Sequence, residues 1–121
     1  MRKEMTAVGA TPIILALLAE REDYGYSLIR RLKSSSGELF EWAEGMLYPI
    51  LHRLEQQGYL ESRFDSTAGK RGERGRRRKY YAVTDRGRAY LTEIMDEWKR
   101  IFAVIEHIGS GKEEEREDAG N

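Results

Sequence analysis

Leu47-Tyr48-Pro49-Ile50-Leu51-His52-Arg53-Leu54-Glu55-Gln56-Gln57-Gly58-Tyr59-Leu60-Glu61-Ser62-Arg63-Phe64 changes its period halfway, and that change decides the fold. Leu47, Ile50, Leu51 and Leu54 fall at i, i+3, i+4 and i+7, an apolar stripe along a helix. Tyr48, His52, Arg53, Glu55 and Gln56 take the polar face. Pro49 is expected in the first turn, where its missing N–H costs nothing, and Gly58 stands where a left-handed C-terminal residue is wanted. From Tyr59 to Phe64 the residues alternate as a strand does, and Lys79-Tyr80-Tyr81-Ala82-Val83 is a second β-prone run. The fourteen residues between, 65–78, are rich in Gly and Arg. Two short strands with a long tip after a helix of this kind form the wing of a winged helix-turn-helix.

Towards the N-terminus, Thr11 reads as an N-cap, Pro12 as the first helical residue, and Ile13 to Leu18 as a helix apolar nearly all round, hence buried. The polar break Glu20-Arg21-Glu22-Asp23 separates it from a second short helix, Tyr24 to Leu32, with Leu28, Ile29 and Leu32 on one side. Ser34-Ser35-Ser36-Gly37 ends that helix, and Trp42 is expected to cap the core.

Towards the C-terminus, Thr84 is a good N-cap for a last helix in which Leu91, Ile94, Trp98, Ile101, Ile105 and Ile108 step by three, four, three, four and three. That helix spans about 24 residues, Asp85 to Ile108, too long for so small a domain to cover, so its apolar face calls for a second copy of itself. The expected fold class is mainly α with a small β-hairpin (α+β): a winged helix-turn-helix with a long C-terminal dimerisation helix. Residues 1–84 form the DNA-binding domain with the wing at about 65–78, residues 85–109 the dimerisation helix, and 110–121 a disordered acidic tail.

The chain's 121 residues, 40% apolar, support one compact core. Without cysteine there is no disulfide, thiolate metal site or thiol nucleophile. Net charge is zero, yet ten Lys and Arg face only three acids between Arg63 and Arg88, whereas Lys112 to Asp118 holds five acids and two bases. The longest apolar stretch, Pro12 to Ala19, is far too short to span a bilayer, and no leader pattern opens the chain, so a cytoplasmic protein without membrane contact is expected. His52 and His107 lack metal-binding spacing, Ser34, Ser35 and Ser36 lack a histidine partner, and no phosphate-cradling loop opens a helix. No enzymatic activity, cofactor or metal is expected.

The partner expected instead is duplex DNA. Lys70, Arg71, Arg74, Arg76, Arg77, Arg78 and Lys79 join positive charge to a flexible backbone, which suits phosphate or minor-groove contact; the competing reading is a solvated loop that maintains solubility. Tyr48, His52 and Arg53 lie on the helix face that would enter the major groove, Tyr48 offering its hydroxyl to a phosphate and Arg53 holding a phosphate or a guanine. Tyr24 and Tyr26 complete the expected DNA-binding set. Trp98, in the middle of the dimer seam, is too bulky for close helix pairing and would open a cleft for a flat guest, unless it is plain core. Leu15, Met95, Asp96 and Phe102 are the other expected ligand contacts, the acid serving a cationic guest.

Tyr24-Gly25-Tyr26, Leu47 to Glu55, Gly58 to Ser62 and Arg78 to Gly87 together resemble the PadR family of transcriptional regulators, over about residues 10–108. The resemblance implies a winged helix-turn-helix dimerised through its C-terminal helix, repressing a nearby gene until an effector weakens DNA binding. Ending after one C-terminal helix, the chain is similar to the short, multidrug-sensing branch, which implies a planar hydrophobic or cationic small molecule beside Trp98. The wing departs from the family's usual short turn, being longer and far more basic, and stronger nonspecific DNA affinity would follow.

These readings converge on a homodimeric repressor. Two copies pair through Leu91 to Ile108 and set their third helices in successive major grooves of a palindromic operator, about 34 to 36 Å apart. An effector between the terminal helices would shift the population to a spacing that no longer fits. The alternatives are an architectural protein that coats any duplex without an effector, and a metabolite sensor that has lost DNA binding, against which the basic wing argues.

Overall fold

The computed structural model describes residues 1–65 and 77–111. The fold is mainly helical with a small antiparallel sheet: α1 (Lys3–Glu20), β1 (Asp23–Tyr24), α2 (Gly25–Ser35), α3 (Glu44–Gln56), β2 (Leu60–Asp65), β3 (Arg78–Val83) and α4 (Asp85–Gly109). The chain divides into two compact units, Met1–Leu91 and Thr92–Asn121.

In the first unit the apolar stripes of three helices meet one face of the sheet. Ile14, Leu15 and Leu18 of α1, Leu28 and Leu32 of α2, Leu47, Leu51 and Leu54 of α3, and Leu60 and Tyr81 from the strands are all buried. Trp42 is buried as well, its ring edge-on to Phe40 at 6.1 Å.

The proline-based expectations for helix starts give way to longer helices. Pro12 lies inside α1, which starts at Lys3, and Pro49 lies in the second turn of α3, which starts at Glu44. In each case one carbonyl a turn earlier goes without its helical donor, a local loss that the rest of the helix outweighs. Gly58, with φ of 85°, is the expected left-handed residue. Around it the Gly58 N–H donates to Glu55 O (3.0 Å) and the Tyr59 N–H to Leu54 O (2.9 Å), closing α3 and turning the chain into β2.

The sequence predicts a two-stranded hairpin, and the structure adds β1, giving a sheet in the order β1-β3-β2. Two residues are too few to carry a period. Asp23 pairs with Tyr81 and Tyr24 with Tyr80, so the last residue of the polar break opens an edge strand. Asp23 is buried because three donors satisfy it: the Tyr24 N–H at 2.9 Å, the Ser27 hydroxyl at 2.7 Å and Arg31 Nη1 at 3.0 Å.

Thr84 caps α4 as expected. Its Oγ1 accepts from the Gly87 N–H at 3.0 Å and its hydroxyl donates to Gly58 O at 2.7 Å. α4 is one continuous helix of 25 residues. In the second unit its apolar side chains Trp98, Ile101, Phe102, Val104, Ile105 and Ile108 are exposed.

Candidate nucleic-acid interface

α3 is fitted onto α2 through a glycine and a tyrosine. A Cβ at Gly25 would lie 2.6 Å from the Tyr48 hydroxyl oxygen, so the Tyr48 ring fills the space a side chain would take. Burial above all, then the neighbouring Glu44 and Tyr81, raise the Tyr48 phenol above its ordinary value of 10.0. At physiological pH it is a neutral hydrogen-bond donor. Further along α3, Pro49, His52, Arg53 and Gln56 are exposed. Arg53 belongs to the last turn, and its Nη2 donates to Thr11 Oγ1 at 3.2 Å; in the N-terminal half of α3, Glu44, Gly45 and Pro49 are exposed and Met46 and Tyr48 half-buried. At the start of α2, Tyr26 is exposed with the Arg30 guanidinium 5.9 Å from its ring centroid.

Strand register sorts the base of the wing into two faces. Leu60, Ser62 and Phe64 share one with Val83, Tyr81 and Lys79; Glu61, Arg63 and Asp65 share the other with Ala82, Tyr80 and Arg78, joined by Tyr24 from β1. The first face packs on α3. Lys79 Nζ lies 3.6 Å from one Glu55 carboxylate oxygen, and the Ser62 hydroxyl donates to the other. Near the end of β2 on this face, Phe64 is 58% exposed, with the Arg77 guanidinium and the Lys79 ammonium each 5.9 Å from its ring.

The opposite face carries a stack of rings and cations. Tyr24 and Tyr80 lie parallel, 5.4 Å apart at 11°. The Arg78 guanidinium sits 4.6 Å from the Tyr24 centroid, and that of Arg63 sits 5.0 Å from Tyr80. Arg63 donates to Glu22, and this hydrogen bond holds the guanidinium still more firmly protonated. Neighbours in sequence, Lys79 and Arg78 thus serve opposite faces, where sequence reading takes them as one set. Strand alternation carries the signal that separates them. Glu22, Glu55, Arg63 and Phe64, absent from the expected set, have no such signal, because their roles rest on partners far along the chain. Lys70, Arg71, Arg74 and Arg76 lie outside the described residues.

The expected ligand contacts divide. Met95, Trp98 and Phe102 are exposed on α4, and Trp98, Lys99, Phe102, Ala103 and Glu106 line a shallow groove along it. Asp96 lies in a polar depression with Glu93, Glu97 and Arg100. Asp96 is two residues from Trp98 and does not share its side of the helix; the acid that lines the Trp98 groove is Glu106. Leu15 is wholly enclosed in the first unit's core and presents no surface to a guest. Of the residues expected to form a dimer seam, Leu91 and Ile94 are half-buried, while Trp98, Ile101, Ile105 and Ile108 are exposed. Among the described residues no helix is long and apolar enough to cross a membrane, and no group of three potential ligands could hold a metal ion.

Known proteins resemble this arrangement. The model of the transcriptional regulator PadR-like family matches residues 14–93. A transcriptional regulator of Mycobacterium tuberculosis is 39% identical over 80 residues, 66% of each chain. The solved structure of a transcriptional regulator from Clostridium thermocellum superposes with a TM-score of 0.76 at 29% identity, covering 88% of this chain and 95% of the other. A PadR family regulator from Eggerthella lenta gives 0.73 at 30% identity, covering 87% and 85%.

Proposed function

The chain belongs to the PadR-like family and is a DNA-binding transcriptional regulator, and from that premise we propose that it is a homodimeric repressor of a palindromic operator, released by a small molecule bound between the C-terminal helices. One observation carries the DNA reading. In a single unit, the exposed edge of α3 adjoins the cation-bearing base of the β2–β3 hairpin, the two being tied by Glu55, Ser62 and Lys79. Tyr48, Tyr26 and His52 then meet one major groove, while Arg53, Arg77, Lys79 and the wing cations Lys70, Arg71, Arg74 and Arg76 take phosphates.

Dimerisation is supported by the exposed apolar face of α4. Pairing it with a second copy removes Ile101, Ile105 and Ile108 from water, at about 25 cal/mol for each Å² of apolar surface buried. The effector reading rests on Trp98, Met95 and Phe102, which offer a planar guest two aromatic rings and a thioether, with Glu106 available to a cationic one. The protein is a cytoplasmic non-enzyme in this account.

Competition tests the proposal. Labelled DNA from the gene's own upstream region is titrated with protein against excess random duplex. A repressor retains a short site with an affinity about a thousandfold or more above the random competitor, and a planar cationic compound that quenches Trp98 weakens that binding. Equal competition by random DNA with a steep salt slope would establish the architectural coater instead.

A further inference from the structure

Tyr24 invites reading as a DNA contact because it opens the helix-turn-helix beside Tyr26. Its surroundings give it another task. The residue is half-buried in edge strand β1, on the sheet face opposite α3, and pairs with Tyr80 in register. Its ring is one of four layers in a pile: Arg78 at 4.6 Å, Tyr80 at 5.4 Å, and beyond Tyr80 the Arg63 guanidinium 5.0 Å from that ring, itself anchored on Glu22. Arg78 is the first residue of β3, so the chain leaving the basic wing becomes strand at the cation that rests on Tyr24. Without that ring, Arg78 loses a π-face and Tyr80 loses its stacking partner, whereas α2 loses no side-chain cap, since Tyr24 precedes it as the N-cap residue without a side-chain hydrogen bond.

We propose that Tyr24 is a positioning residue that fixes the base of the arginine-rich wing through the Arg78–Tyr24–Tyr80–Arg63 stack, so that it governs DNA affinity without touching DNA. The stack works by face contact, and its attraction comes from the ring rather than the hydroxyl. Phenylalanine therefore substitutes for the tyrosine and leucine does not. Wing cations held at a fixed base meet phosphates with less ordering cost; cations on a loosened base release fewer counterions on binding.

The proposal rests on the DNA-binding reading, and its test has one arm that needs no DNA. The full chain, Tyr24→Phe, Tyr24→Leu and Arg78→Leu are compared by amide exchange across 78–80 in the free protein, and by fluorescence anisotropy with an upstream-region duplex at several salt concentrations. Tyr24→Phe is expected to match the parent in both. Tyr24→Leu is expected to speed exchange at Arg78 to Tyr80 and to weaken DNA binding about tenfold with a shallower salt slope. In the Arg78→Leu background the same leucine substitution costs clearly less, because the two residues act as one unit. If Tyr24→Phe loses as much affinity as Tyr24→Leu while exchange stays at the parent's rate, the hydroxyl contacts DNA and the proposal is overturned. It also fails if Tyr24→Leu leaves exchange and salt slope unchanged. Should Tyr24→Leu not fold, Tyr24→Met takes its place: faster exchange at 78–80 supports the stack, and parental exchange refutes it. A parent chain that binds no duplex would sink the DNA-binding reading, with the exchange arm still reporting on the stack.

Discussion

Gly87 sits where α4 crosses the turn between α3 and β2, and a Cβ there would stand 2.2 Å from the Tyr59 carbonyl oxygen and 2.7 Å from a Val83 methyl carbon. The closest obstacle is backbone, which cannot swing aside as a side-chain end can. Gly87→Ala is therefore expected to cost about 3 kcal/mol in urea unfolding, the upper range for an overpacked site. Tyr81 is the opposite case. Its ring is buried while, among the described residues, its hydroxyl has no hydrogen-bond partner. Tyr81→Phe removes an uncompensated polar group and keeps the packing, so stability is expected to rise by about 1 kcal/mol, read as a higher urea midpoint at unchanged slope. Glu38 carries a different burden, holding φ of 68° as a non-glycine residue in the connection from α2 to α3.

At the level of elements, Thr84 joins three pieces: its hydroxyl donates to the carbonyl of Gly58 after α3, its oxygen caps the first turn of α4, and its N–H reaches Tyr59 O at 3.0 Å. Thr84→Ala removes both side-chain bonds and is expected to lower stability by about 1 to 2 kcal/mol, whereas Thr84→Ser should restore most of it. Thr84 and Gly58 were legible in the sequence because each role is local: a cap or a left-handed turn depends on the residues beside it. The apolar stripes of α3 and α4 were legible for the same reason. β1 was not, since two residues become a strand only because Tyr80 and Tyr81 lie beside them. Helix starts misled because Pro12 and Pro49 fit a first turn but also survive inside a helix whose other residues favour it. In the candidate interface, the placement of Tyr48 on α3 could be read from type and position. The division of Arg78 from Lys79, and the ties of Glu55 and Glu22, came from pairings across the fold.

For the whole molecule, the proposed regulator depends on pairing two copies through α4. Ile101 and Ile105 are 58% and 61% exposed, more than a helix in water favours for side chains of that kind. Replacing both, Ile101→Glu with Ile105→Glu, leaves the core of the first unit intact and places two charges in the seam. The variant is expected to sediment as a monomer with parental helix content and to hold DNA at least tenfold more weakly, since each copy then binds a half-site alone. The most direct test is hydroxyl-radical footprinting of the upstream duplex by the parent and by this double variant. The account predicts two protected patches on one face of the duplex, centred about 34 to 36 Å apart for the parent, and their joint loss for the variant at the same protein concentration. A single patch, even protection along the duplex, or an unchanged pair of patches from the monomeric variant would contradict it.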